Sequence, residues 1–350
     1  MKNKNEFDYT ILIPRLIRGG AELQSIHLAN DLINLGKNVS IICFKEVEKN
    51  LYPEINNEIK IYELKKKKGI FLSIFSLIKK LYFLLIKIKP RKLILFLSYS
   101  EKVYICLRIL GLNIKALSFV RAGIKVPSKF HSLYGLIIGS LLEEIYINSE
   151  SNFIPSLNFY KRMPILIPNH INFDKKIKEK IIDKDKIKIV YIARYITEKN
   201  HQFLFKTLSK NIHKDKIELT LIGDSKSENL IYISDLINQY KLNNIVKVLY
   251  NVSNVYSILK NIDIMVFCSN YSEGTPNALL EGMACGLKII CSDKFSELAM
   301  PINYYKDNSE NDFNRILLEI ILNKNSYVDK YLEYLKLLVN KRNYILSTKL

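Results

Sequence analysis

Short, uninterrupted apolar runs alternate with helical patterns along almost the whole chain, and this alternation most constrains how it can fold. The runs are Tyr9–Ile13, Val39–Phe44, Lys92–Leu97, Ala116–Val120 and Ile145–Ile147. Beyond a charged stretch from Lys175 to Lys188 come Ile187–Ala193, Ile217–Ile222, Ile245–Leu249, Ile262–Phe267 and Lys288–Cys291. Strands that are apolar on both faces and separated by helices predict parallel sheets with both faces covered. Two such series predict an α/β chain of two doubly wound, Rossmann-like domains facing a central cleft, with ligands at the carboxyl ends of the strands. The expected boundaries are 1–165 and 166–311 for the two domains and 312–350 for terminal helices.

A chain of 350 residues, 48% apolar and 25% charged, is long enough for two buried cores. Its five cysteines show no C-x-x-C spacing, which suggests a reducing compartment. The first residues, Met-Lys-Asn-Lys-Asn-Glu-Phe-Asp, lack the apolar core of a signal peptide, so a cytoplasmic location is expected. The net charge of +19 is uneven: residues 60–130 hold seventeen Lys and Arg against Glu63 and Glu101. A basic face attracts phosphorylated substrates, anionic lipid or nucleic acid. Nothing in the chain resembles a nucleic-acid-binding module.

The chemistry concentrates in Glu273-Gly-Thr-Pro-Asn-Ala-Leu-Leu-Glu281. Thr275 is a good N-cap, Pro276 suits the first helical position, and Gly286 can end the helix. The first-turn amides of Asn277, Ala278 and Leu279 would then face the carboxyl edge of the sheet as an anion site. Glu273 sits in the loop beside it and Glu281 inside the helix, where carboxylates accept from sugar or ribose hydroxyls. A surface helix with two solvated glutamates fits these residues equally well. Arg194 and Lys199 follow a strand and can both reach a diphosphate, although an ordinary surface cation describes Lys199 better than Arg194. Gly19 and Gly20 open the first helix and allow close approach of a phosphate or sugar.

Taken together, E-x7-E from Glu273 to Glu281, G-G-A-E from Gly19 to Glu22, R-x4-K-N-H from Arg194 to His201, and I-P-N before the second domain resemble the family 4 retaining glycosyltransferases of GT-B architecture. The resemblance implies that Glu273 contacts the donor sugar and Glu281 the ribose. It implies that Arg194 and Lys199 hold the diphosphate, and that Gly20 with the amides of Asn277–Leu279 completes the cradle. It further implies transfer with retention by front-face attack, assisted by the leaving phosphate, with no metal and no other cofactor. Relatives often carry a His after the N-domain strand that here ends Ser-Phe-Val-Arg121; Arg121 occupies that place as a candidate sugar or acceptor contact.

Other constellations carry less. Asp183-Lys-Asp185 lies in a Lys-rich stretch before a strand, where chance explains it, and the histidines show no metal spacing. No G-x-G-x-x-G follows the first strand or Ile222-Gly223-Asp224, which argues against a dehydrogenase. Glycosidase carboxylates face each other about 5–9.5 Å apart, unlike two glutamates along one loop and helix. The segment from Gly69 to Pro90 is apolar over more of its surface than packing on one sheet requires. With Lys65–Lys68 it suggests contact with an anionic membrane surface, while Lys79, Lys80 and Lys87 argue against a spanning helix.

The expected activity is therefore transfer of a sugar from a nucleoside-diphosphate sugar, UDP-linked, to a membrane-associated glycan or polyprenyl-linked acceptor in surface polysaccharide synthesis. Two alternatives are a nucleotide-sugar epimerase of the same fold and a binding-only subunit without activity.

Overall fold

The structure, a computed structural model, describes residues 7–322 and 327–350 except Arg18, 49–50, 52–53, 66–71, Ala122, 124–128, 174–176, 178–181, Lys184, Ser225, Ser253 and 271–273. It divides into two compact units, Met1–His170 with Asn340–Leu350, and Ile171–Val339.

The first unit runs β1 (Tyr9–Ile13), α1 (Gly20–Asn34), β2 (Val39–Cys43), β3 (Lys60–Glu63), α2 (Leu72–Ile88), β4 (Lys92–Phe96), α3 (Leu97–Ile109), β5 (Lys115–Val120), α4 (Lys129–Leu141), β6 (Glu144–Ile147), α5 (Phe153–Tyr160) and β7 (Ile165–Leu166). Its seven strands lie in the order β3-β2-β1-β4-β5-β6-β7, and every pairing is parallel. Alternate residues of one strand feed opposite cores, because strand side chains point to alternate faces. Ile11, Ile41, Ile94 and Leu117 pack with α1, whereas Leu12, Ile42, Leu93 and Leu95 pack under α2, α3, α4 and α5. Helix α1 ends as its sequence predicts: Gly36 takes φ +75°, where only glycine sits without strain.

The second unit runs β8 (Ile187–Ile192), α6 (His201–Ser209), β9 (Ile217–Gly223), α7 (Ser227–Gln239), β10 (Val246–Tyr250), α8 (Val255–Leu259), β11 (Ile264–Phe267), α9 (Asn277–Ala284), β12 (Lys288–Ser292), β13 (Asn303–Tyr305), α10 (Glu310–Leu322) and α11 (Val328–Lys349). The sheet order is β10-β9-β8-β11-β12-β13, again all parallel. Both series expected from the apolar runs are present. The structure adds β3, β7 and β13, which are short or lack an apolar run.

Helix α11 begins in the second unit, and its last residues belong to the first. There Arg342, almost fully buried, donates from Nε and Nη2 to Asp31 Oδ2 at 3.0 and 2.7 Å, and from Nη1 to the Pro168 carbonyl at 2.7 Å. Burial pulls the Asp31 carboxyl upward, but the hydrogen bond from His170 and the Arg342 charge outweigh it and hold the group below its ordinary value.

Candidate functional site

In the second sheet the strand order reverses at β8, which lies between β9 and β11. Loops leaving adjacent parallel strands at such a reversal open a crevice at the carboxyl edge, where α/β proteins bind ligands. Here the segments that follow β8 and β11 are 193–200 and 268–270, and they are tied together. The Asn270 amide donates to the Glu198 carbonyl at 2.8 Å, and Asn200 Nδ2 donates to Asn270 Oδ1 at 3.2 Å. The sequence therefore folds its Arg194–Lys199 segment and the segment leading to α9 side by side.

Lys199 ends a single 3₁₀ turn, Thr197–Lys199, closed by Asn200 in the left-handed region at φ 54°. Tyr191, buried on β8, donates its hydroxyl to the Lys199 carbonyl at 2.5 Å. This anchor and the turn direct Lys199 inward, leaving it 7% exposed. Burial, and then the charge of Arg194, push its ammonium down to about 8, with Glu198 opposing. Arg194 itself is exposed. The weighing of the two cations from sequence is thus reversed: Lys199, not Arg194, is the desolvated one. Inward burial by a turn leaves no trace in an apolar pattern. A buried cation beside a second cation is stabilised by any anion that joins them.

Helix α9 begins one residue later than expected. Pro276 is the cap residue, extended at φ −68° and ψ 126°, and Asn277 is the first helical residue. Threonine at the cap would have brought a side-chain acceptor; proline brings none, and its ring instead presets the entry into the helix. Asn277, Ala278 and Leu279 form the first turn. Gly286 closes the helix at φ +71°, with the Leu287 amide donating to the Gly282 carbonyl at 3.0 Å. Glu281 is half-buried, and its charge adds to burial in raising the pKa of Tyr256 on α8, so carboxylate and phenol are neighbours. Glu273 lies outside the described residues.

Three further residues shape this edge: Gly223 and Tyr195, to which the sequence reading gave no role, and His201, which ends the R-x4-K-N-H pattern. A side chain at Gly223, the last residue of β9, would place its Cβ 2.7 Å from the Ala193 carbonyl oxygen and 2.6 Å from Tyr195 Cζ. Tyr195 is fully buried and donates to the Leu249 carbonyl at 2.6 Å, so the backbone next to Arg194 is packed tightly. His201, also buried, lies 4.9 Å from the Tyr191 ring and is pushed down to about 3 by burial, which keeps it neutral. A glycine ending an apolar run was the one signal in the sequence for Gly223.

Gly19, Gly20 and Arg121 belong to the first unit. Gly19 caps α1 in extended backbone, and a Cβ there would lie 2.5 Å from Glu22 Oε2. The glycine therefore leaves room for Glu22 to fold back over the start of its own helix. Arg121 follows β5. Its Nη1 donates to Asn169 Oδ1 at 2.7 Å, and its guanidinium stands 5.3 Å from the Phe96 ring centroid and 5.5 Å from that of Phe119. Among the described residues Nε and Nη2 make no hydrogen bond, and burial, then the Arg342 charge, push the group down to about 9.

Residues 172–336 match the family described as glycosyl transferases group 1. An uncharacterized glycosyltransferase of Methanocaldococcus jannaschii is 30% identical over 198 residues, covering 54% of this chain and 48% of the relative. The N-acetylgalactosamine-N,N'-diacetylbacillosaminyl-diphospho-undecaprenol 4-alpha-N-acetylgalactosaminyltransferase of Campylobacter jejuni is 27% identical over 180 residues, covering 48% and 47%. The chain thus spans about half the length of the curated relatives it matches. Among solved structures, Anabaena HepE in complex with UDP-glucose superimposes with a TM-score of 0.78 over 98% of this chain and 99% of that one, at 14% identity. The whole chain therefore has the two-domain α/β GT-B fold of glycosyltransferases, and its 172–336 stretch matches their group 1.

Proposed function

We propose that the protein is a retaining glycosyltransferase of family 4 that moves a sugar from UDP to a glycan or lipid-linked acceptor. The observation that carries this reading is the buried Lys199 beside Arg194 at the strand-order reversal of the second sheet, in a loop bonded to the one that enters α9. A diphosphate supplies an anion that both cations can share, which offsets the burial of the Lys199 ammonium and raises its proton affinity. The same two cations stabilise the charge that grows on the departing nucleoside diphosphate, so the positive charge needed for departure comes from side chains, without a metal. The amides at Asn277–Leu279 complete the phosphate cradle, Glu281 takes the ribose, and Glu273 contacts the donor sugar. Retention follows from attack on the face the nucleotide leaves, which needs positioning more than a dedicated base.

The Campylobacter relative's name specifies a diphospho-undecaprenol-linked acceptor, which supports a polyprenyl-linked acceptor at the inner face of the cytoplasmic membrane here. Helix α2 supports the membrane placement. Its outer stripe alternates exposed Phe75, Phe83 and Ile86 with exposed Lys79, Lys80 and Lys87, a pattern that suits an anionic bilayer surface. Lys65 is described and exposed, whereas Lys66, Lys67 and Lys68 lie outside the described residues. No helix among the described residues is long and apolar enough to cross a membrane.

Purified protein incubated with UDP-sugars tests the reading. Release of UDP that depends on added lipid-linked acceptor is expected; conversion of the donor without acceptor identifies an epimerase, and binding without turnover a subunit that only holds nucleotide.

A further inference from the structure

Helix α4 has two faces with the same spacing and opposite character. Gly135, Ile138, Gly139 and Leu142 point inward, at i, i+3, i+4 and i+7. A Cβ at Gly135 would lie 2.3 Å from the Phe159 carbonyl oxygen, and one at Gly139 would lie 2.0 Å from that of Tyr160, so the helix is seated against α5 at backbone distance. Tyr134 fixes its rotation by donating to buried Glu101 Oε2 at 3.0 Å, and Ser118 and Tyr160 donate to the other oxygen of the same carboxylate. With its orientation set in this way, α4 turns Leu133, Leu136, Ile137 and Ser140 outward. The three aliphatic side chains are 57%, 52% and 42% exposed. Ile154 on α5 and Met163 beyond it add to the exposed apolar surface.

The surroundings indicate what covers this face. Helices α2, α3, α4 and α5 pack on one side of the first sheet, so the outer stripe of α2 and the outer face of α4 look away from it in the same sense. Neither α2 nor α4 contains an acidic residue, and Lys161 and Arg162 lie exposed next to α5. A second copy of the chain seated here would bring two lysine-bearing faces together, with no acid on either helix to offset them. An uncharged aliphatic face flanked by Lys161 and Arg162, with Glu143 beyond it held by Lys92 and Lys115, is complementary to the boundary between anionic headgroups and acyl chains.

We propose that the outward face of α4 is a second membrane contact, in which Leu133, Leu136 and Ile137 enter the acyl boundary of an anionic bilayer. The inference rests on the membrane reading of α2 and extends it. The lysines of α2 draw the chain to the surface and act through charge, so their part weakens with salt. The face of α4 acts through apolar burial and persists in salt.

The chain contains no tryptophan, so a single introduced indole reports its own site. Leu136→Trp and Ile86→Trp, each in the full chain, are titrated with vesicles of phosphatidylglycerol and phosphatidylethanolamine. Both indoles are expected to shift to the blue and to be quenched by acyl-brominated lipid. A silent Leu136→Trp with a responding Ile86→Trp overturns the α4 contact and leaves the α2 reading standing; silence at both sites overturns both. In co-sedimentation at high salt, Leu133→Ser/Leu136→Ser/Ile137→Ser is expected to lose the vesicle-bound fraction that the unaltered chain retains. Equal retention by the two chains contradicts the proposal.

Discussion

Replacing Lys199 with methionine removes a buried ammonium and keeps a side chain of similar length. In the folded chain burial and Arg194 lower this lysine from 10.5 to about 8. At about 1.4 kcal/mol per tenfold change in proton affinity, that is about 3 kcal/mol acting against the fold near neutral pH. The folded value lies below the unfolded one, so the penalty is complete below pH 8 and fades as pH rises toward 10.5. Lys199→Met is therefore expected to be more stable than the unaltered chain at pH 7, by about 1–3 kcal/mol once the methionine has repacked. Urea unfolding at pH 7, 9 and 10.5 measures the difference, which should narrow steadily across that series. Saturating UDP should reverse the ranking, because the nucleotide stabilises a chain that still holds the ammonium and does little for one without it. A variant less stable than the parent at pH 7, or an advantage that does not shrink with pH, refutes the assignment of Lys199 as a desolvated cation poised for an anion.

Other changes separate packing from chemistry. Gly223→Ala drives a Cβ against the Ala193 carbonyl oxygen and should cost about 1–3 kcal/mol in denaturant midpoint while weakening UDP binding in calorimetry. Gly282→Ala meets the thioether of Met265, whose end can move, so its effect should stay within about 1 kcal/mol and leave turnover intact. Arg342→Ala leaves the half-buried Asp31 carboxylate with His170 as a remaining partner and the Pro168 carbonyl without its donor, and should cost about 2–3 kcal/mol, read from urea unfolding. Tyr191→Phe deletes the hydroxyl that holds the Lys199 carbonyl, and should cost about 1 kcal/mol of stability and move the alkaline limb of kcat upward as Lys199 relaxes toward solvent.

The architecture was legible because the central strands announce themselves as continuous apolar runs, and the glycines that end α1 and α9 fall where positive φ is needed. The edge strands were not. β3 carries charge at both ends, β7 has only two residues, and β13 reads Asn-Tyr-Tyr, so none is buried enough to require an apolar run. For the candidate site, sequence supplied residue types and the order of elements, from which the reversal at β8 follows only once pairing is known. Which cation is buried depends on a turn and on a tyrosine eight residues earlier, and neither has a periodic signature. The start of α9 shifted because Thr275 and Pro276 are each good first residues, and local preference alone does not rank them. The surplus apolar surface of α2 was visible in its composition, whereas that of α4 was not, since only the close seating of Gly135 and Gly139 on α5 fixes which face turns outward.

The central claim, transfer from a nucleotide sugar held by Lys199 and Arg194, is tested most directly by one steady-state measurement. UDP release from a panel of UDP-sugars is followed with and without a polyprenyl-diphosphate-linked acceptor, for the unaltered chain and for Arg194→Ala and Lys199→Ala. Acceptor-dependent release that falls at least about 100-fold in both variants is the predicted result, as expected for loss of groups that stabilise departing charge. Release that is unaffected by either substitution, or that proceeds equally without acceptor, contradicts it.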